Sequence, residues 1–504
     1  MGRSGFIVRG AGLGLAVALL VVVVVWTVLW TVDTTSYDIW GGLVVGAAVL
    51  LLTWPLARHA ARIEGDRRLA LLIMLAVVLK LFSACVRYFV AVDIYGGSAD
   101  AGVYIREGGW FAENLRQGMI LYEPQRGGSS GTHFIRQLTG WVFLFTGTTA
   151  IGGYFAFAWF GFLGQYFAYR AFRVGVPHGL HRRYGLLVFF LPTLLYWPAS
   201  IGKEAWMLLT LGLGAYGVAR ILTHRPDGYV LFALGLVGTA AVRPHVTAIL
   251  AAALAASFLL RRSRTGSFLG FGAKIVGTIL VFSAALWAFE AAEERFGVSG
   301  EGLSGAEQVI EETAEGTRGG GSEFEPTNPT SIADVPRAVF TVMFRPLPHE
   351  AHNLQALATS MEGVLLLLLF VVSWPRLRRL PREALQTPYV MFAVSYSLMF
   401  MVAFASIGNF GILARQRAQL FPWILLILAL PSIKEATSRS TTSRRGTHAP
   451  KPVLLPVAPP VPRNSVGHDE TYRSPSRIGQ GETYGSAELI IDLPRGSTRI
   501  DPPS

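Results

Sequence analysis

From Phe6 onward the chain repeats one pattern, an apolar run long enough to cross a bilayer followed by a short segment rich in arginine. At 1.5 Å of rise per residue, about 20 apolar residues cover a hydrocarbon core of about 30 Å. The runs show no strand-type alternation, so helices are expected and a membrane barrel is not. The 504 residues are 52% hydrophobic and 15% charged, too apolar for a water-soluble chain of this size. The pattern predicts an all-α polytopic membrane protein with about twelve transmembrane helices and two long outer-face loops. The expected spans are 6–30, 39–56, 69–92, 150–172, 184–197, 205–221, 229–242, 246–260, 268–289, 361–374, 388–405 and 420–430.

Arginine placement orients these spans. Clusters at 58–68, 170–183, 261–264 and 376–382 flank span ends and are expected in the cytoplasm. Alternation then puts two long loops, about 93–137 and 290–360, outside, together with the connections near 198–204, 243–245 and 406–417. Both termini are expected inside. Residues 1–431 read as the transmembrane domain, and 432–504, rich in Ser, Thr, Arg and Pro, as a disordered cytoplasmic tail. The net charge of +12 reflects the flanking arginines, so nucleic acid is not an expected partner. Cys85 is the sole cysteine, which excludes an intrachain disulfide and a thiolate metal site. No Walker-type phosphate loop is present, so ATP hydrolysis is not expected.

Under this topology the conspicuous polar residues gather at the outer face. Asp93, Asp100, Tyr104 and Glu107 belong to the first long loop, and Lys203 with Glu204 follows the proline-broken stretch LPTLLYWPASIG. Arg243 and His245 flank Pro244 at a break between two short spans. Arg345, His349, Glu350 and His352 lie late in the second long loop, and Asn409, Arg415 and Arg417 lie between the last two spans. Outer arginines oppose the positive-inside trend, and an anionic ligand is the economical reason to keep them there.

The first loop carries a resemblance. Asp100-Ala-Gly-Val-Tyr104, then Ala112 and Asn114 to Gly118, then Tyr122 and Pro124, is similar to the first outer loop of the integral-membrane glycosyltransferases of superfamily C. The segments WPASIGKEAW, RPH, FRPLPHEAHN and GNFGILARQR look, more loosely, like those of bacterial envelope-polysaccharide proteins, repeat-unit polymerases included. The chain departs from superfamily C in placing an extra hairpin before the acidic loop. It also has Asp-Ala where many members have paired acids, so a divalent metal is admitted but not required and no other cofactor is expected.

The resemblance implies transfer of a sugar from a polyisoprenyl-phosphate donor to a glycan or lipid acceptor at the outer face of a bacterial plasma membrane. Such a reaction needs a carboxylate to take the acceptor's proton and cations to hold the leaving phosphate. Asp100 is the expected base, with Asp93 in reserve; Asp100 would also serve as a helix N-cap. Tyr104, Lys203, Glu204, Arg243, His245, Arg345, His349, Glu350, Asn409, Arg415 and Arg417 are the expected substrate-binding set. Each has a plainer reading: headgroup anchoring for Arg415 and Arg417, a local cap for Lys203 and Glu204, a polar loop helix for His349 to His352. His349, Glu350 and His352 do not form the HExxH zinc pattern, and no metal ligands are assigned. Two other functions stay open, a polysaccharide repeat-unit polymerase and a lipid or glycan flippase.

Overall fold

The computed structural model describes residues 37–96, 100–119, 130–260, 323–327, 329 and 331–432. The spans expected at 6–30 and 268–289, the first half of the second long loop and the tail beyond 432 lie outside the described residues. The chain divides into Met1–Ser443 and Arg444–Ser504, and every described residue belongs to the first unit. In chain order the helices are α1 (Tyr37–Glu64), α2 (Arg67–Phe89, prolonged by a π-helical turn at Val90–Ile94), α3 (Asp100–Arg116), α4 (Ser130–Thr146) and α5 (Ala150–Gly175). Then come α6 (His181–Phe190), α7 (Lys203–Leu222), α8 (Asp227–Ala240), α9 (Pro244–Leu259) and α10 (Val335–Phe344). The series ends with α11 (Leu354–Val372), α12 (Pro388–Phe404), α13 (Phe410–Arg417) and α14 (Phe421–Leu428).

Among the described residues, four helices are long and apolar enough to cross a membrane: α1, α2 with its π turn, α7 and α11. Taken as one bent element, α4 and α5 make a fifth, with 111° between them. The described residues are therefore helical with four or five span-length helices, against ten expected spans that fall among them. The other apolar helices are shorter. The expected run 184–197 shows why: Leu191 precedes a proline, which disfavours the α region, and its ψ of 128° ends α6. The chain restarts as a five-residue turn of helix, Pro192–Tyr196, followed by a 3₁₀ turn, Trp197–Ala199.

Small residues let the helices approach closely, as in membrane bundles where backbones pack through glycine. At the α5–α7 crossing, a Cβ on Gly164 would strike the Leu208 carbonyl and one on Gly212 would strike the Gly164 carbonyl. At the α7–α8 crossing, Gly235 lies on Gly214. Helices α1 and α5 run parallel: the Asp38 carboxylate accepts from the Ala150 N–H at 2.6 Å, Thr53 accepts from the Trp159 indole at 3.1 Å, and Glu64 pairs with Arg173. The end holding Glu64 and Arg173 also holds the His178–Glu383 contact at 3.1 Å and the Arg183–Ser373 hydrogen bond at 2.7 Å. These arginines are those of the basic clusters read from the sequence.

The first long loop is more ordered than a loop. Its helix α3 packs alongside α4, with Glu107 facing Arg136 at 2.8 Å, Phe111 against Trp141 at 6.1 Å and Arg116 donating to the Phe143 carbonyl at 3.0 Å. Partner numbers rise together along both helices, so the pair is parallel. Both N-termini therefore reach the same end of the bundle.

Candidate functional site

That end encloses a cavity of about 370 Å³. Its wall takes Arg87 from α2, Asp100 and Tyr104 from α3, and Thr132 and Arg136 from α4. Ser200 to Glu204 enter at the start of α7, Arg243 at the cap of α9, and Arg415 with Gln416 from α13. Five cationic side chains and two carboxylates face this space, so its lining carries an excess of positive charge. First turns of α3, α4 and α7 add the partial positive charge of helix N-termini. Lysine in a first turn opposes that dipole, so Lys203 sits where a helix alone would not favour it.

The arginines are held in defined poses. Arg87 lies over the rings of Tyr196 and Trp197, 4.8 and 5.0 Å from their centroids, and donates to the Tyr196 hydroxyl and to Ser200 Oγ, both at 3.4 Å. Arg415 lies 5.5 Å from the same Trp197 ring and donates to the Asp100 carboxylate at 3.3 Å. Arg243 donates to the Gln416 amide oxygen, which also accepts from Gln419 at 2.6 Å. Tyr104 is 5% exposed. Burial first, then the charges of Asp100 and Glu204, push its phenol well above the ordinary value against a Thr132 hydrogen bond and the Arg136 charge. The phenol therefore stays protonated at physiological pH and can donate.

The residues expected from sequence divide into two groups. Asp100, Tyr104, Lys203, Glu204, Arg243 and Arg415 all line the cavity. Asp93, His245, Arg345, His349, Glu350, Asn409 and Arg417 do not. Asp93 is exposed on the π turn, and the exposed His245 lies 5.7 Å from the Phe404 ring. Arg345 lies over Phe324 at 4.6 Å and makes a two-oxygen contact with Glu350, while His349 is exposed beside them. Asn409 caps α13 through the Ile412 N–H at 3.1 Å.

Arg417 lies in the core and not at the cavity. It is 2% exposed, and its guanidinium donates to the backbone carbonyls of Val342 at 2.6 Å, Thr341 at 3.4 Å and Arg345. Burial pulls it down to about 10, with Glu362 opposing, so it is charged at neutral pH but turned away from the cavity. Residues two apart on a helix do not share a face. Within α13, then, Arg415 and Arg417 could not both reach one ligand.

Arg87, Thr132, Arg136, Ser200 and Gln416 are the other polar side chains of the wall and were not singled out from sequence. Arg87 had a signal, an arginine inside an apolar span, which marks a functional position by cost alone. Gln416 had none. Among the described residues no three His, Cys, Asp or Glu side chains gather as a metal-ligating group. No family model, curated protein or solved structure matches the chain.

Proposed function

We propose that the protein is a glycosyltransferase that moves a sugar from a polyisoprenyl-phosphate donor to an envelope glycan or lipid acceptor. It would sit in a bacterial plasma membrane with about twelve crossings, the shorter helices included, and its cavity at the outer face. The observation that carries this reading is one cavity holding Asp100 together with Arg87, Lys203, Arg243 and Arg415. An acceptor hydroxyl gives its proton to Asp100 as its oxygen bonds to the anomeric carbon of the sugar. The bond from that carbon to the phosphate oxygen breaks, and the cations stabilise the departing polyisoprenyl phosphate. Tyr104 donates to a sugar or phosphate oxygen, and Glu204 orients a hydroxyl.

A polysaccharide repeat-unit polymerase is the second reading. The excess of arginine over carboxylate at the cavity favours it, since a polymerase of that kind needs anion-holding arginines more than a base.

Full-length protein in nanodiscs, offered polyprenyl-phosphate sugars and nucleotide sugars side by side, tests the proposal. Transfer from the lipid-linked donor is expected. Transfer from the nucleotide sugar alone would overturn it.

A further inference from the structure

Two charged residues buried away from the cavity grip one short piece of chain. Lys80 of α2 is 1% exposed and Glu362 of α11 is 8% exposed, both within span-length helices, where a charge is costly unless something specific holds it. Neither lines the cavity. Glu362 accepts from the Thr193 N–H at 2.9 Å and from the Thr193 hydroxyl. Lys80 donates to the Leu194 carbonyl, and its stem lies against Gly161 where Pro198 also approaches.

Both partners belong to the helical turn Pro192–Tyr196, which restarts the chain after Leu191. Interrupting a helix inside a bilayer strands donors at the restart and acceptors at its end, with no water to satisfy them. The Glu362 oxygens at the donor end and the Lys80 amine on a carbonyl of the same turn supply the partners that the interruption removes. The two side chains therefore stabilise a break that the apolar sequence around it would not keep open.

The break leads straight into the cavity. The Trp197 ring, three residues past Leu194, has the Arg87 and Arg415 guanidiniums at 5.0 and 5.5 Å, Ser200 accepts from Arg87, and Gly202 to Glu204 form part of the wall. A shift of the Pro192–Tyr196 turn would move all of these together. We propose that Lys80 and Glu362 are positioning residues for the cavity, clamping the interrupted segment so that Ser200 and Lys203 present a fixed anion-binding wall and the Trp197 ring holds Arg87 and Arg415 in place. This rests on the reading of the cavity as a lipid-phosphate site. The clamp touches neither donor nor acceptor and acts only through the 192–204 segment.

The test uses full-length protein in nanodiscs and measures binding of polyprenyl phosphate, with thermal unfolding as the check on folding. Lys80→Met and Glu362→Leu are expected to lose about tenfold to a hundredfold in affinity, the scale of an ångström-sized misplacement. Each variant removes one partner of a buried polar contact and is expected to lower the unfolding midpoint, so affinity is compared at a temperature where every variant is folded. Glu362→Gln keeps a carbonyl oxygen for the Thr193 N–H and is expected to rescue most of the affinity.

A second readout needs no ligand. In a Cys85→Ala background, Ser200→Cys is expected to change its rate of reaction with a small thiol reagent when Lys80→Met is added. Affinity in folded Lys80→Met and Glu362→Leu within about threefold of wild type, less than 1 kcal/mol, would overturn the proposal. If the wild type itself does not bind polyprenyl phosphate, the lipid-phosphate reading falls, and the Ser200→Cys rate alone decides the clamp. An unchanged rate would then overturn it.

Discussion

The Arg415 guanidinium donates to the Asp100 carboxylate at 3.3 Å, although 315 positions separate the two residues in the chain. Asp100 opens α3 and Arg415 lies in the last turn of α13, so the contact joins two helices from opposite ends of the described chain. The carboxylate side chain remains 75% exposed, so the pair is weak as a stabilising contact and open to an incoming hydroxyl.

Asp100→Asn separates catalysis from capping. Asparagine caps a helix about as well as aspartate but takes no proton. Product formation in membranes is expected to fall about 10²-fold to 10⁴-fold, the usual contribution of a general base, with insertion and unfolding unchanged. Near-normal product from this variant would favour the polymerase reading.

The arginines are expected to fail in different ways. Arg243→Ala or Arg415→Ala is expected to cost about 10²-fold to 10³-fold in turnover with a lipid-linked donor, the scale seen when one transition-state donor is removed. Lysine at either position is expected to rescue only partly, because it offers a point charge and no planar fork. Arg417→Ala instead strips three backbone carbonyls of a donor and leaves Glu362 without a nearby counter-charge. It is expected to destabilise the fold by about 3 kcal/mol. Thermal unfolding of the three alanine variants beside their turnover distinguishes the two behaviours; an Arg417→Ala protein of normal stability with selective loss of turnover would contradict the assignment.

The Arg345–Glu350 contact makes a pH-dependent contribution. Burial raises the Glu350 carboxyl, but the Arg345 hydrogen bonds, the Leu347 N–H and the charges of Arg345 and His349 outweigh it and hold the group below its ordinary value. A carboxylate lowered in the folded state stabilises above its unfolded value of about 4.3 and loses that contribution as pH falls through its folded value. The gap in unfolding midpoint between wild type and Glu350→Gln is therefore expected to narrow as pH falls below about 4.3. A gap that stays constant with pH would show that the charge is not what Glu350 contributes.

Sidedness can be read with two cysteines in a Cys85→Ala background. Gln117 past the end of α3 and Arg378 past the end of α11 are both exposed. A membrane-impermeant thiol reagent is expected to label Gln117→Cys in intact cells and Arg378→Cys only after lysis. The reverse pattern would place the cavity in the cytoplasm and remove the case for a lipid-linked donor.

Apolar run length and arginine placement are local properties, and they determined that the chain forms apolar helices, several of them long enough to cross a membrane. That was enough to bring Asp100, Tyr104, Lys203, Glu204, Arg243 and Arg415 onto one list, and all six share one cavity. What only the tertiary structure decided is which face each helix turns inward. Arg415 and Arg417 are nearly indistinguishable as sequence, yet helical phase sends one to the cavity and the other to the backbone of α10. Arg136 enters the wall because α3 and α4 pack in parallel, and Gln416 because Arg243, 173 positions away, meets it across the bundle. Lys80 and Glu362 were not singled out from sequence, and only the structure shows their contacts with Leu194 and Thr193. Hydrophobicity sets which segments enter a membrane, but it is nearly the same on every side of such a helix. Close packing through glycine, and the need to satisfy each buried polar group, then select the side that faces the ligand.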